Sequence, residues 1–266
     1  MGRPIWQVRL IKKMWPTRYA TAKAARFGPV GDWVRDHFLL GDRMTQIPIN
    51  QEIRGVEPSV ALPLAILEEF VREASVRVIM HECICRDNNH CRDYPRNLGC
   101  VFLGDAARDI NPRLGKQAGV EETLGHIRDA VRSGLVPFTG RNKLDSVWLG
   151  VGPEGRLLTI CLCCPCCCLY GVFPHLPEHL RKSVVRMEGL EVEVTGECTG
   201  CGTCTSVCLS RAVSLEAGRA RIEPARCIGC GRCATTCPES AIEMRLTRPD
   251  AVDLLKKRIR TVVEVR

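Results

Sequence analysis

Eighteen cysteines fall in three groups along this 266-residue chain, and thiolate is a soft ligand suited to zinc, copper and iron–sulfur clusters. The most regular group runs from Cys198 to Cys237. It reads C-T-G-C-G-T-C-T-S-V-C, then eighteen residues, then C-I-G-C-G-R-C-A-T-T-C-P. Each half is a C-x2-C-x2-C-x3-C run, a spacing that offers one thiolate to each iron of a four-iron cluster. Three cysteines two residues apart can wrap one corner of such a cluster if the backbone comes close. Gly200, Gly202, Gly229 and Gly231 occupy the intervening positions, where a left-handed φ or a close approach costs least. Paired zinc sites and a disulfide framework are the competing readings. Zinc does not need a duplicated triplet-plus-one, and disulfides need an oxidising compartment.

On these residues, 196–246 resembles the bacterial-type two-[4Fe–4S] ferredoxin family. The resemblance implies a small pseudo-symmetric fold of two β-hairpins and two short helices, and one-electron transfer at low potential. In that pattern the fourth cysteine of each run crosses to the other cluster. It assigns Cys198, Cys201, Cys204 and Cys237 to one cluster, and Cys227, Cys230, Cys233 and Cys208 to the second. Pro238 follows Cys237 as the family pattern wants, whereas Leu209 follows Cys208, which bears on the local turn there. Six arginines against five glutamates in 196–246 describe a near-neutral segment, more like a built-in unit than an acidic diffusing carrier.

The other ten cysteines lie upstream. H-E-C-I-C-R-D-N-N-H-C supplies Cys83, Cys85 and Cys91, and N-L-G-C-V-F-L-G supplies Cys100. C-L-C-C-P-C-C-C supplies Cys161, Cys163, Cys164, Cys166, Cys167 and Cys168. Unligated, that run would be readily oxidised. Ten thiolates suffice for two further [4Fe–4S] clusters, or for one cluster and a zinc. The favoured expectation is at least one additional cluster that draws ligands from both groups and so staples the domain. Successive side chains diverge, so a pair such as Cys163–Cys164 is expected to serve two sites or an unusual noncubane one. The order C-x-C-R, then G-C-x-F-L-G, then the cysteine run is similar to uncharacterised iron–sulfur proteins of anaerobes, a resemblance that names no reaction. His81 and His90 flank the first group as candidate nitrogen ligands or proton donors. His126 reads as a packed residue, and Arg86 as a stabiliser of a reduced cluster, an anion site or a solvated side chain.

The elements that must position these thiols give an α+β fold class: a cysteine-rich domain of α/β or α+β type at 51–195, then the ferredoxin-like domain at 196–246. A basic arm occupies 1–50, with nine Lys or Arg against three Asp, and a C-terminal helix lies in 247–266. The spacing predicts helices over Ile5–Trp15, Ser59–Ala74, Glu121–Ser133, Leu176–Glu188 and Asp250–Val263, the last folding back over the cluster domain. It predicts strands at Val76–Met80, Val147–Val151, Leu157–Leu162 and Leu190–Thr195, with G-V-G-P-E-G at Gly150–Gly155 as a hairpin turn. No signal-peptide pattern, eighteen-residue apolar run, P-loop or dinucleotide-binding fingerprint is present. A cytoplasmic, oxygen-poor setting follows from the thiol density.

The function expected is relay of low-potential electrons, through two ferredoxin-type clusters and at least one more, to a partner oxidoreductase. The basic arm would dock that partner, touch an anionic membrane surface or stay solvated, and nucleic acid is not expected. The alternatives are a small-molecule reductase with a catalytic cluster in 51–195 and a metal-stapled interaction module. No catalytic residue is identified.

Overall fold

A computed structural model describes residues 2–34, 36–37, 43–46, 62–181 and 184–266. Three helices open the chain: α1 (Ile5–Met14), α2 (Arg18–Ala24) and α3 (Gly28–Val34). Pro16, which has no N–H to extend the ladder of α1, sits in the single 3-10 turn between α1 and α2. These helices lie on the body of the chain. The Gly2 amide donates to the Asp109 carbonyl and the Arg3 amide to that of Leu149, both at 2.7 Å. Val8, Ala22 and Ala25 are buried. Trp6, Leu10 and Met14 share the outward face of α1 and remain exposed beside Arg9 and Lys13.

Next come β1 (Arg43–Gln46), α4 (Leu62–Glu73), β2 (Arg77–Met80), α5 (Ile84–Asn88), β3 (Val101–Leu103) and β4 (Gly115–Gln117). They are followed by α6 (Val120–Arg132), β5 (Val136–Arg141), α7 (Lys143–Leu149), β6 (Leu158–Cys163), α8 (Glu178–Arg181) and β7 (Val184–Val185). The strands form one seven-stranded sheet in the order β4-β2-β3-β6-β5-β1-β7. Every neighbouring pair is antiparallel except β1 with β7. An antiparallel sheet with helices packed on it is α+β, and this decides between the two sequence-based alternatives.

Alternation along β6 sets up the chemistry. Leu158, Ile160 and Leu162 face the larger core, with Ile66 and Phe70 of α4 and Leu124 and Ile127 of α6. Cys161 and Cys163 turn to the opposite face, where they join Phe138, Tyr170 and Phe173.

Three sequence expectations are corrected. Val147–Val151 is not a strand, since its first three residues complete α7. The Asn142 side chain accepts the Leu144 amide to start this helix at 3.1 Å, and Gly150 at φ 66° ends it. A five-residue apolar run carries no period long enough to separate helix from strand. Gly150–Gly155 is therefore a helix-to-strand connection into β6, not a hairpin turn. The third is Leu176–Glu188, which among the described residues is helical only over α8; Val184 and Val185 instead pair with Met44 and Thr45 of β1, β-branched residues taking an open sheet edge. Residues 51–61, with the start of the Ser59–Ala74 helix, lie outside the described residues.

The remaining elements are β8 (Leu190–Val194), α9 (Thr203–Ser206), β9 (Val213–Glu216), β10 (Arg219–Ile222), α10 (Arg232–Thr235), β11 (Ile242–Leu246) and α11 (Ala251–Arg260). β8 pairs with β11 and β9 with β10, both antiparallel. Cys204, Cys230, Cys233, Met244 and Leu246 share one continuous core with α4, α6 and β6, so residues 196–246 are built into the molecule. The helix α11 closes this core with Leu255 and Ile259. It is also tied to α4, as Lys256 meets Glu69 at 2.5 Å and Arg260 meets Glu73 at 2.7 Å.

Candidate metal centres

A constant shift along the chain carries β8 onto β10, α9 onto α10 and β9 onto β11, and takes Cys198, Cys201, Cys204 and Cys208 onto Cys227, Cys230, Cys233 and Cys237. The glycines repeat too. Gly200 and Gly229 have φ of 71° and 73°, Gly202 and Gly231 of 79° and 74°, and each of the latter pair leads into a short helix that carries a cysteine. The structure gathers Cys198, Cys201, Cys204 and Cys237 around one small cavity. It gathers Cys208, Cys227, Cys230 and Cys233 around a second. Backbone amides point at the sulfurs: Ala220 donates to Cys198 Sγ at 3.4 Å, Ala212 to Cys208 Sγ at 3.2 Å and Ala241 to Cys237 Sγ at 3.3 Å.

The last two bonds answer the question raised by Leu209. The turn after Cys208 closes as the one after Cys237 does, with Arg211 and Ser240 both left-handed at φ 51° and 49°. Leucine follows the same path as proline and adds a buried contact to the core.

A Cβ on Gly200 would lie 2.0 Å from the Gly218 carbonyl oxygen, with φ already left-handed. Gly200→Ala is therefore expected to cost about 3 kcal/mol in chemical unfolding, from left-handed strain plus overpacking. Gly196→Ala, with nothing within 4 Å of its Cβ, should stay within about 0.5 kcal/mol of the parent.

The upstream cysteines divide into two sets. Cys83, Cys85, Cys100, Cys161, Cys163 and Cys168 surround a largely apolar chamber, whose wall Cys164 also reaches. Cys83 and Cys85 come from the start of α5, Cys100 precedes β3, Cys161 and Cys163 lie on β6, and Cys168 opens a 3-10 turn. Their thiols touch in series: Cys85 with Cys83, Cys83 with Cys100, Cys100 with Cys161, Cys161 with Cys163, and Cys163 with Cys168. Donation from the Cys100 and Cys85 thiols holds Cys83 down to about 2, whereas Cys85 is raised well above the ordinary value by donating to Cys83 and by burial. Burial pushes Cys163 and Cys168 up as well. Protein alone thus leaves most of these thiols protonated, and a bound cation is what could ionise them together.

Two observations fit an anionic metal–thiolate group in this chamber. The Trp15 indole N–H, in the chamber wall, is buried and has no acceptor among the described residues. Arg86 is 0% exposed. Its Nε donates to the Pro95 carbonyl at 2.8 Å, its Nη1 to that of Leu162 at 2.6 Å, and its Nη2 to that of Leu98. Burial works against its charge, while Cys83, Cys100, Cys164 and Cys163 favour it. The solvated reading of Arg86 is excluded by this position. Asp145 also lines the chamber, accepting from Trp148 Nε1 and Thr159 Oγ1 at 2.9 Å, and burial raises its carboxyl to about 6.

Cys91, Cys164, Cys166 and Cys167 form the second set, their sulfurs all within 4.8 Å of one another. Both sets draw on both upstream groups. The adjacent pair Cys167–Cys168 is split, one member to each set, whereas Cys164 belongs to the second set and also reaches the chamber wall beside Cys163. None of the eighteen cysteines forms a disulfide. His81 and His90 are exposed, and neither belongs to a close ligand group. His126 is packed, its Nε2 at 2.8 Å from the Gly99 carbonyl.

Sequence reading missed Trp15 and Ile11, which the N-terminal helices bring to the chamber wall. It also missed Arg232, 3% exposed, whose Nη2 donates to the Cys163 carbonyl at 3.0 Å and whose Nη1 donates to Tyr94 Oη at 3.3 Å. The signal available was a charge inside a ligand triplet, where the matching position in the first half holds Thr203.

The family model for a 4Fe-4S dicluster domain matches residues 197–241. That stretch is a ferredoxin-type iron–sulfur segment, and it gives the chain an iron–sulfur electron-transfer role. No curated protein and no solved structure matches the chain. No described helix is long and apolar enough to cross a membrane.

Proposed function

We propose that this chain is an electron-transfer protein or subunit that relays low-potential electrons between a partner oxidoreductase and the thiol-lined interior of residues 51–195. Cys198, Cys201, Cys204 and Cys237 would hold one [4Fe–4S] cluster, Cys208, Cys227, Cys230 and Cys233 a second, and the six-thiol chamber at least one more. When bound, such clusters supply one-electron carriers whose potentials are tuned by hydrogen bonds, charge and exposure.

The observation that carries this reading is the Arg232 bridge. From the turn between Cys230 and Cys233, one buried guanidinium reaches the main chain of Cys163 at 3.0 Å. A ligand loop of the ferredoxin-type segment and a ligand strand of the chamber thus meet through a single side chain. The amides that donate to Cys198, Cys208 and Cys237 stabilise thiolate over thiol, and Arg86 keeps a fixed positive charge among the upstream thiols. Six thiols around one chamber leave no shortage of protein ligands. That weighs against the small-molecule reductase reading, which needs an iron with an open position. The partner would dock on the basic N-terminal helices, where Trp6, Leu10 and Met14 stand exposed among cations.

Cys201→Ser should abolish electron delivery while complex formation with the partner survives. Full electron flow in that variant would sink the relay. Anaerobically purified protein should contain about twelve irons and as many acid-labile sulfides, if the chamber holds one cluster beside the two of the segment. About eight of each would remove the chamber from the relay.

A further inference from the structure

Cys91, Cys164, Cys166 and Cys167 stand apart from the other fourteen cysteines in how closely their sulfurs crowd. Cys91 Sγ and Cys166 Sγ are 3.6 Å apart, and all four sulfurs lie within 4.8 Å of one another. Tetrahedral coordination by four thiolates at about 2.3 Å sets sulfur–sulfur edges of about 3.8 Å. In a cubane each thiolate binds a different iron, so a face diagonal of the cube separates the irons of any two ligands and their sulfurs stand farther apart. The chain supplies its own comparison. Among the described residues, no three of the eight cysteines in the ferredoxin-type segment, and no three of the six around the chamber, come this close.

We infer that these four cysteines form a closed mononuclear site that holds one zinc ion, separate from every iron–sulfur cluster. The backbone is shaped for it. Cys164–Cys167 is a tight turn through Pro165, in which the Cys167 amide donates to Cys164 Sγ at 3.4 Å. Asn89 pins this turn to the end of α5, its Nδ2 donating to the Cys85 carbonyl at 2.7 Å and to the Cys167 carbonyl at 3.4 Å. The Cys91 amide in turn donates to the Arg86 carbonyl at 2.9 Å. Four protein thiolates leave no vacant position, which is the form of a structural zinc site. At such a site divalent zinc binds more tightly than ferrous iron. The ion would fasten the loop carrying Cys91 to the turn that follows β6. This inference does not rest on the relay reading, and its test has no electron-transfer readout.

The test is metal and sulfide analysis of the full chain, purified anaerobically, with zinc-edge X-ray absorption. The parent protein should carry about one zinc with four sulfur neighbours at about 2.3 Å, a result that needs no variant to fold. Cys166→Ala, at the exposed ligand, should lose that zinc and keep its iron and acid-labile sulfide. A parent protein free of zinc would overturn the inference. So would a Cys166→Ala variant that loses iron with sulfide, the mark of a cluster, or one that loses a single iron without sulfide, the mark of mononuclear iron.

Discussion

Arg86→Met should lower the unfolding free energy of the chain by about 4 kcal/mol and deplete the iron held upstream of the ferredoxin-type segment. The guanidinium is fully buried and satisfies three carbonyls, those of Pro95, Leu98 and Leu162. Methionine fills part of its volume but donates nothing. Each buried carbonyl left without a partner costs about 1–3 kcal/mol, and breaking a buried ionic arrangement about 3–5 kcal/mol. These figures overlap and do not add. Against a typical total stability of about 5–15 kcal/mol, the loss is large. Arg86→Lys should fall between parent and Arg86→Met, since an ammonium keeps the charge but cannot fork to three separated carbonyls. The check is an anaerobic urea series together with iron and sulfide content. A midpoint unchanged in Arg86→Met, with full iron, would mean that the buried cation is not what holds the thiol layer together.

Arg232→Met is the second large effect, and it separates coupling from assembly. Its partners are the Cys163 carbonyl and the Tyr94 hydroxyl, and its Nε is buried without an acceptor among the described residues. Hydrogen bonds from a charged donor contribute about 1.5–3 kcal/mol each, so a destabilisation of about 2 kcal/mol is expected. The more specific outcome is electrochemical. Removing a buried positive charge beside Cys230 and Cys233 makes added negative charge less welcome there. The potential of that half of the segment should move to more negative values by on the order of tens of millivolts. The other half, around Cys198, Cys201, Cys204 and Cys237, should move much less. Redox titration followed by electron paramagnetic resonance reads both. Equal shifts in the two halves would point to a general loosening of the protein.

What the sequence made legible follows from which constraints are local. The double C-x2-C-x2-C-x3-C run is fixed by short-range geometry, so the role of its glycines was legible from spacing, while the two short helices came from the family resemblance that the run carries. The antiparallel sheet could not. Its order β4-β2-β3-β6-β5-β1-β7 depends on pairings between residues far apart in the chain, such as Met44 with Gly140. The V-W-L-G-V stretch looked like a strand because its apolar residues give no period, and the Asn142 cap lay outside the window considered. The partition of the ten upstream thiols was hidden for a related reason. C-L-C-C-P-C-C-C allows several registers, and only β6, which sends Cys161 and Cys163 to one face before the chain turns at Pro165, decides between them. Trp15 was invisible as a wall of the chamber because nothing in a basic N-terminal stretch records where it packs.

The splitting of neighbouring cysteines has a consequence for how the protein is matured and how it fails. Cys163 and Cys164 share a peptide bond, as do Cys167 and Cys168, yet Cys163 and Cys168 line the chamber while Cys164 and Cys167 belong to the crowded set, Cys164 reaching the chamber wall as well. Filling one centre would therefore help to fix the main chain that presents ligands to the other. The two affinities are thermodynamically linked through a few covalent bonds, with no moving domain required. Oxidation of the exposed Cys166 would act first on the crowded set to which it belongs, so the most accessible sulfur of this region acts as its point of vulnerability.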